Sequence, residues 1–378
     1  MKLGEPIDAR VPWIRSIHDF DGARAERSMG VRGDKLRRAA ERLSDSLREG
    51  PRVVSVRTLP VSDLPYPTRF AFQAAARVPW PYVLMQHRAL LIQVEAEGEL
   101  KNVLFNPTDR ESARKTPYFV RFEERYGWAE RFMPARFGTV EESLGQLGLA
   151  PSDIDVIAWD HFHTVDLRAT LGTEHGDGLR DKIAARFENA VLLAPKVEWE
   201  DWDHLHPSQR HFFIADGKDD VATSKVVLTE NDLWLGDGCL LVRTPGHTSG
   251  NQTVFVHGER GVFGCSENGT SCDNWSPYES RIPGLRGFAR EYDVEVVLNS
   301  NTPEYYAEQY NSMILERSLV DRVPEAPAFV QMFPSSEVTP SPIAPTVRPS
   351  HVFGEMTSGT VREGPRNSRS APARHASA

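Results

Sequence analysis

Asp160-His161-Phe162-His163-Thr164-Val165-Asp166 directly follows the apolar run Ile154-Asp155-Val156-Ile157-Ala158-Trp159. The run reads as a short buried strand. Side chains alternate along an extended backbone, so His161 and His163 at the strand's end face the same side. Their ring nitrogens can then reach one cation, and the carboxylate of Asp166 approaches as the chain turns. Read alone, the second histidine pair, His204-Leu205-His206, has the same spacing. It sits in an acidic, aromatic loop that ends in Pro207, and it is expected to be a structural or substrate-facing insert. His175 and His211 have no assigned place.

A second motif, Thr244-Pro245-Gly246-His247-Thr248-Ser249-Gly250, lies between two strand-like runs, Cys239–Arg243 and Gln252–Val256. Pro-Gly is a turn signal, so His247 belongs on a loop at a strand end. Gly246 and Gly250 let the backbone bend around it. A histidine held this way can supply the third imidazole of a metal site.

These residues resemble the metallo-β-lactamase-fold hydrolase superfamily. The approach from Val140 through Gly148, a Pro-Ser-Asp-Ile-Asp turn and a strand into His-x-His is similar to the family's first metal motif. Pro245-Gly246-His247-Thr248-Ser249-Gly250 is similar to its third-histidine loop. The resemblance runs from about Arg52 to Val320. It implies an α/β fold, a four-layer αββα sandwich with the metal site at the edge of the two sheets. It also implies that the second-metal positions are rewritten. Val165 and Asp166 stand where the family has Asp and His, Glu267 where it has the bridging aspartate, Asn301 where it has the last histidine, and Asn106-Pro107-Thr108 where it has an Asp-x-Gly turn. A one-residue slip of the loop would let Asp166 take the aspartate's role.

Three imidazoles and a carboxylate suit zinc with an open position for water. Zinc lowers the pKa of that water to roughly 7, which makes a hydroxide nucleophile near neutrality. The expected activity is hydrolysis of an ester, lactone, thioester or similar bond of a small molecule. The metal set is His161, His163 and His247, with Asp166, Glu267 and Asn301 as further ligands, and one or two zinc ions per chain. Asp166 or Glu267 handles the proton, and Asp160 and Ser266 orient the ligands. Two other readings stand beside it: a mononuclear iron dioxygenase, since two histidines and a carboxylate form a facial triad, and a catalytically inactive binding protein that kept the fold.

With 378 residues the chain can bury a large core. A net charge of −9 with mixed signs gives no case for nucleic acid. Three cysteines are too few for a disulfide framework. Met1–Pro6 has no apolar signal core and no run is long enough to span a membrane, so a cytoplasmic protein acting on a small molecule is the default. Nothing in the pattern indicates an oligomeric state.

Three segments are expected. Residues 1–50 form a helical extension, charged along Asp34–Leu43 and stopped at Gly50-Pro51. Residues 51–323 form the metallo-β-lactamase-like domain, and the Pro/Ser-rich residues 324–378 form a disordered tail. Within the domain, strands are expected at Arg52–Leu59, Ala89–Ala96 and Val103–Phe105. The aromatic stretch Pro65–Pro81 reads as a packed loop. A helix over Arg110–Trp128 puts Tyr118, Phe119, Phe122, Tyr126 and Trp128 into the core. Further helices are expected over Asp177–Phe187 and from Thr302, as N-cap, to about Val320.

Overall fold

The computed structural model describes residues 1–108, 110–127, 137–176 and 181–363. Two facing sheets carry the chain. The first has seven strands in the order β1-β2-β9-β10-β11-β12-β15. These are Leu3–Pro6 (β1), Arg15–Ile17 (β2), Asp232–Gly236 (β9), Cys239–Arg243 (β10), Gln252–Gly258 (β11), Gly261–Ser266 (β12) and Met332–Pro334 (β15). The second has the order β17-β3-β4-β5-β6-β7-β8, with β16 added on β4. Its strands are Ser55–Pro67 (β3), Tyr82–Ala96 (β4), Glu99–Phe105 (β5), Val156–Ala158 (β6), Val191–Pro195 (β7), Val226–Thr229 (β8), Ser336–Thr339 (β16) and Thr357–Gly359 (β17). A small hairpin, Arg322–Val323 (β13) and Ala326–Val330 (β14), links the long C-terminal helix to β15.

Period-two alternation decides which side chains meet which layer. Cys239 and Leu241 of β10 face Val103, Phe105, Val156 and Ala158 of the other sheet, which makes the core between the sheets. Leu240 and Val242 of the same strand point outward, onto Leu36, Leu43 and Leu47 of the Met29–Glu49 helix and Met313 and Leu319 of the Tyr306–Leu319 helix. On the far side Leu91, Leu104, Ile157 and Leu192 pack against Val140, Leu144, Leu167 and Leu171. The layers are therefore helix, sheet, sheet, helix. In the second sheet β5, β6, β7 and β8 run parallel. The ends of β6, β10 and β12 carry the two histidine motifs and Glu267.

Several sequence expectations change here. Residues 1–50 are not an outlying extension: β2 pairs with β9, Arg15 opposite Trp234. The Met29–Glu49 helix buries Leu36, Ala39, Ala40, Leu43 and Leu47 against the C-terminal helix. The strands β1 and β2 are too short and polar to show an alternation. The stretch from Pro324 is not a tail either. β15 lies parallel to β12, and β16 pairs antiparallel with β4, Ser336 opposite His87. Residues 364–378 lie outside the described residues. Part of Pro65–Pro81 is strand, because β3 continues to Pro67. Its prolines lie beyond Ser55–Arg57, the residues that β17 covers on that edge, so no β17 hydrogen bond is lost to them. From Asp181 to Phe187 there is no helix. The amides of Ile183, Arg186 and Phe187 donate instead to Thr173, Ala169 and Thr170. The first part of that expected helix lies outside the described residues. Among the described residues no helix is long and apolar enough to cross a membrane.

β16 also supplies Glu337, which forms an ion pair with Arg88 of β4. The two are 0% and 1% exposed. Glu337 accepts the Phe353 amide as well, at 2.9 Å. Removing one member of such a pair strands the other's charge in a dry interior. Glu337→Ala is expected to cost about 3–5 kcal/mol in urea unfolding. A cost below about 0.5 kcal/mol, the scale of a surface change, would contradict the placement of this segment in the core.

Candidate metal centre and its cavity

β6 delivers the chain to Asp160, which is fully enclosed. Its amide donates to Asn106 Oδ1 (2.8 Å) and its carbonyl accepts the Gln252 amide from the other sheet (2.8 Å). Asn106 is held at φ 57° on the turn after β5, a left-handed conformation that asparagine tolerates. One carboxylate oxygen of Asp160 accepts from the His161 amide and from His161 Nδ1, each at 2.8 Å. The other accepts the Ser335 hydroxyl. Burial alone would raise the Asp160 pKa, but His161 and Ser335 outweigh it and the carboxyl stays below its ordinary range. The His161 pKa is lowered by burial and raised more strongly by Asp160, so it ends above the usual imidazole value. With Nδ1 bonded to Asp160, His161 presents Nε2 to the cavity.

His163 is oriented from the opposite side. Its Nε2 lies 2.9 Å from Gln209 Oε1, and Gln209 Nε2 donates to Glu304 (3.3 Å). That leaves His163 Nδ1 turned inward, 3.2 Å from His247 Nε2. Thr164, next along, is held at φ 63°, with its amide donating to Phe212 O at 2.8 Å. A β-branched residue in this region is strained, so the turn that separates His163 from Val165 is enforced by its surroundings.

His247 rides on a loop pinned at three points. Its amide donates to Asn268 Oδ1 (3.0 Å), and the Thr302 hydroxyl donates to the carbonyls of Gly246 (2.7 Å) and His247 (3.1 Å). Thr302 thus holds this loop, and its side chain makes no cap bond to the helix it precedes. Asn268 is in turn fixed by the buried Glu316 (2.8 Å). A Cβ at Gly246 would come within 2.5 Å of Gln309 Cβ, so only glycine fits. His247 Nδ1 is buried without a hydrogen-bond partner.

The structure brings His161, His163 and His247 together, with one donor nitrogen from each within 4.8 Å of the others. Burial, and after it the neighbouring His161, keeps His163 and His247 well below the ordinary imidazole pKa. Both rings are therefore neutral, the form in which imidazole ligates a metal. Two facing sheets with outer helices, and three imidazoles gathered where β6 and β10 end, decide the family of folds. The chain has the metallo-β-lactamase fold.

No protein-family model matches the sequence. Among solved structures the chain is similar to a probable metal-dependent hydrolase from Staphylococcus aureus, at 13% identity and a TM-score of 0.45, covering 69% of this chain and 82% of that one. It is also similar to a dizinc quorum-quenching lactonase in complex with a product, at 13% identity and a TM-score of 0.44, covering 83% and 97%. An N-acyl homoserine lactone hydrolase with N-hexanoyl-L-homoserine at its catalytic metal centre shares 17% identity, with a TM-score of 0.42, covering 65% and 90%.

The other expected site residues of this metallo-β-lactamase fold divide. Glu267 lines the same cavity, and its Oε2 accepts the Ser336 amide at 2.8 Å. Burial pushes its pKa up to about 8, with Asp160 adding to the effect. It stands outside the three-histidine group. Asn301 also lines the cavity, and its Oδ1 is buried without a partner. Asp166 is engaged elsewhere. It caps the Leu167–Leu171 helix and binds Arg168 through Nε and Nη2 (both 2.9 Å) and Lys115 (3.2 Å). It is not on the cavity lining. Val165 points into the core instead. Ser266 accepts the Asn268 amide, at 3.2 Å, and makes no bond to a site histidine. His206 bonds Ser208 in a separate, smaller cavity that His204 also lines.

Sequence reading missed Gln209, Glu304 and Ser335. The first two sit in or beside polar loops without periodicity. Ser335 follows Phe329-Val330-Gln331-Met332-Phe333, a strand-like run inside a Pro/Ser-rich stretch, and that run was the available signal.

If Asp166 is structural, Asp166→Ala strands the buried Arg168 guanidinium beside Asp216 alone. The expected cost is about 3 kcal/mol in urea unfolding, with metal content unchanged. Loss of bound metal at unchanged stability would instead return Asp166 to the site.

Proposed function

We propose that the protein is a metal-dependent hydrolase that binds a single zinc ion through His161 Nε2, His163 Nδ1 and His247 Nε2. It would cleave an ester, lactone, thioester or similar bond of a small molecule. The observation that carries this reading is the convergence of three imidazole nitrogens on the floor of a cavity of about 670 Å³. Two of the rings are aimed by a partner on their outward nitrogen, Asp160 for His161 and Gln209 for His163. Such partners fix the tautomer and raise ligand basicity.

Bound zinc would supply a water-derived hydroxide near neutral pH and polarise the carbonyl under attack. The protein's own groups do the rest. Asp160 accepts a hydrogen bond from His161 Nδ1–H and so leaves Nε2 with its lone pair. Gln209 does the same for His163 through Nε2. Glu267, its pKa raised to about 8, holds a proton near neutrality on the cavity wall, and with Oε2 accepting the Ser336 amide, Oε1 is the atom placed to give that proton to the leaving group. Asn301 Oδ1, without a partner, faces the substrate or its water.

One ion is favoured over two because Val165 is core and Asp166 is bound by Arg168, so neither of the two positions after Thr164 offers a ligand to a second cation. Zinc is favoured over iron because the gathered group is three imidazoles, whereas the facial triad of the iron oxygenases is two imidazoles and a carboxylate.

The test is a panel of esters, lactones and thioesters assayed as isolated, after chelation and after zinc is restored. Activity is expected to vanish with the metal and return with zinc, and Glu267→Gln is expected to lower kcat by about 10²- to 10⁴-fold. Turnover that survives both chelation and His163→Ala, or that requires oxygen, would overturn the proposal.

A further inference from the structure

The helix Pro117–Tyr126 carries Tyr118, Phe119, Phe122 and Tyr126 on one face, yet it buries no residue fully. An aromatic stripe at helical spacing normally faces a core. Here all four rings line the cavity above the histidines. They join a continuous aromatic track. Tyr126 meets Phe122 at 5.1 Å between ring centroids, Phe122 stacks near Tyr118 at 6.5 Å, Tyr118 meets Phe212 at 5.7 Å, and Phe212 meets His163 at 5.1 Å. One end of the track is therefore a ring of the metal centre itself.

We propose that this track is the docking surface for a neutral substrate with an extended aromatic ring system, whose scissile carbonyl hangs from the ring nearest His163. The identification as substrate rests on the hydrolase reading; the binding of the rings does not. Three observations converge on this class. The cavity, at about 670 Å³, has the volume of drug-sized ligands, so a short acyl group would leave most of it empty. Rings in tilted and stacked contact offer further rings both faces and edges to pack on. The charged groups of the lining are balanced: Arg114 pairs with Glu123, and Arg110 lies near Asp63. A polyanion would meet those carboxylates, together with Asp160 and Glu267, at every turn.

Two readouts on the full-length, zinc-loaded protein test this. The first is binding of uncharged, unreactive amides by calorimetry: biphenyl-4-carboxamide, hexanamide and acetamide. Biphenyl-4-carboxamide is expected to bind at least about tenfold more tightly than hexanamide. Phe122→Ala and Tyr126→Ala are each expected to reduce that preference about five- to tenfold, the scale of an aromatic pair beyond its buried area. Phe122→Leu keeps an apolar side chain on a helix with no fully buried residue, and it should fold as wild type while losing part of the preference. The second is kcat/KM for thioesters with the same three acyl groups, expected to rank in the same order. Equal binding of biphenyl and hexanoyl amides, or a preference unmoved by all three variants, overturns the proposal. Aryl binding with no turnover of any thioester, nor of any member of the ester and lactone panel, keeps the docking surface and sinks the hydrolase reading. Turnover of all thioesters at equal kcat/KM, without an aryl preference, keeps the hydrolase and sinks the docking surface.

Discussion

The grip of Asp160 on His161 is the constraint on which the rest of the structure depends. A fully buried carboxylate is costly unless it is bonded on every side. Asp160 meets that demand with the His161 amide, His161 Nδ1 and the Ser335 hydroxyl. Its backbone carbonyl reaches the opposite sheet at Gln252, and its amide is held by Asn106. One residue thus locks the turn after β5, the edge of β11, the segment between β15 and β16 and the first ring of the three-histidine cluster. A loosened sandwich would leave this charge without partners, so packing of the two sheets and aim of His161 stand or fall together.

The same logic is repeated with less charge around the other two rings. His163 is aimed by the amide of Gln209, and His247 is held through its backbone by Asn268 and, behind that, Glu316. Burial keeps these two imidazoles neutral, while Asp160 keeps His161 inclined to hold its proton on Nδ1. One donor nitrogen of each ring therefore turns toward the other two, at the cavity that all three line. A divalent ion would relieve that arrangement more fully than the single His163–His247 contact does. Above them the character changes to aromatic side chains, which divides the cavity into a histidine end and an aromatic end.

Much of this was legible in the sequence because strong local signals coincide with the site. Apolar runs at Val156–Ala158, Cys239–Arg243 and Gln252–Val256, each next to a histidine motif, place the three histidines at strand ends without knowledge of the sheets. What was not legible came from groups whose role depends on distant partners. Leu3–Pro6 and Arg15–Ile17 become strands only because β9 offers them an edge. Met332–Thr339 lies in a Pro/Ser-rich stretch, and only the pairing with β12 and β4 makes it core. Asp166 has the right spacing for a metal ligand, but Arg168, two residues on, takes it. The aromatic stripe of Pro117–Tyr126 has the periodicity of a core helix, and periodicity does not distinguish a packed interior from the wall of a cavity.

Titration of the metal-free protein with cobalt(II), followed by visible absorption, tests the central claim most directly. Three imidazoles and one water predict saturation at a single equivalent with the intense bands of a tetrahedral site, and their loss in His163→Ala. No saturable binding, or a weak octahedral spectrum unaffected by His163→Ala, would contradict a metal centre built from His161, His163 and His247.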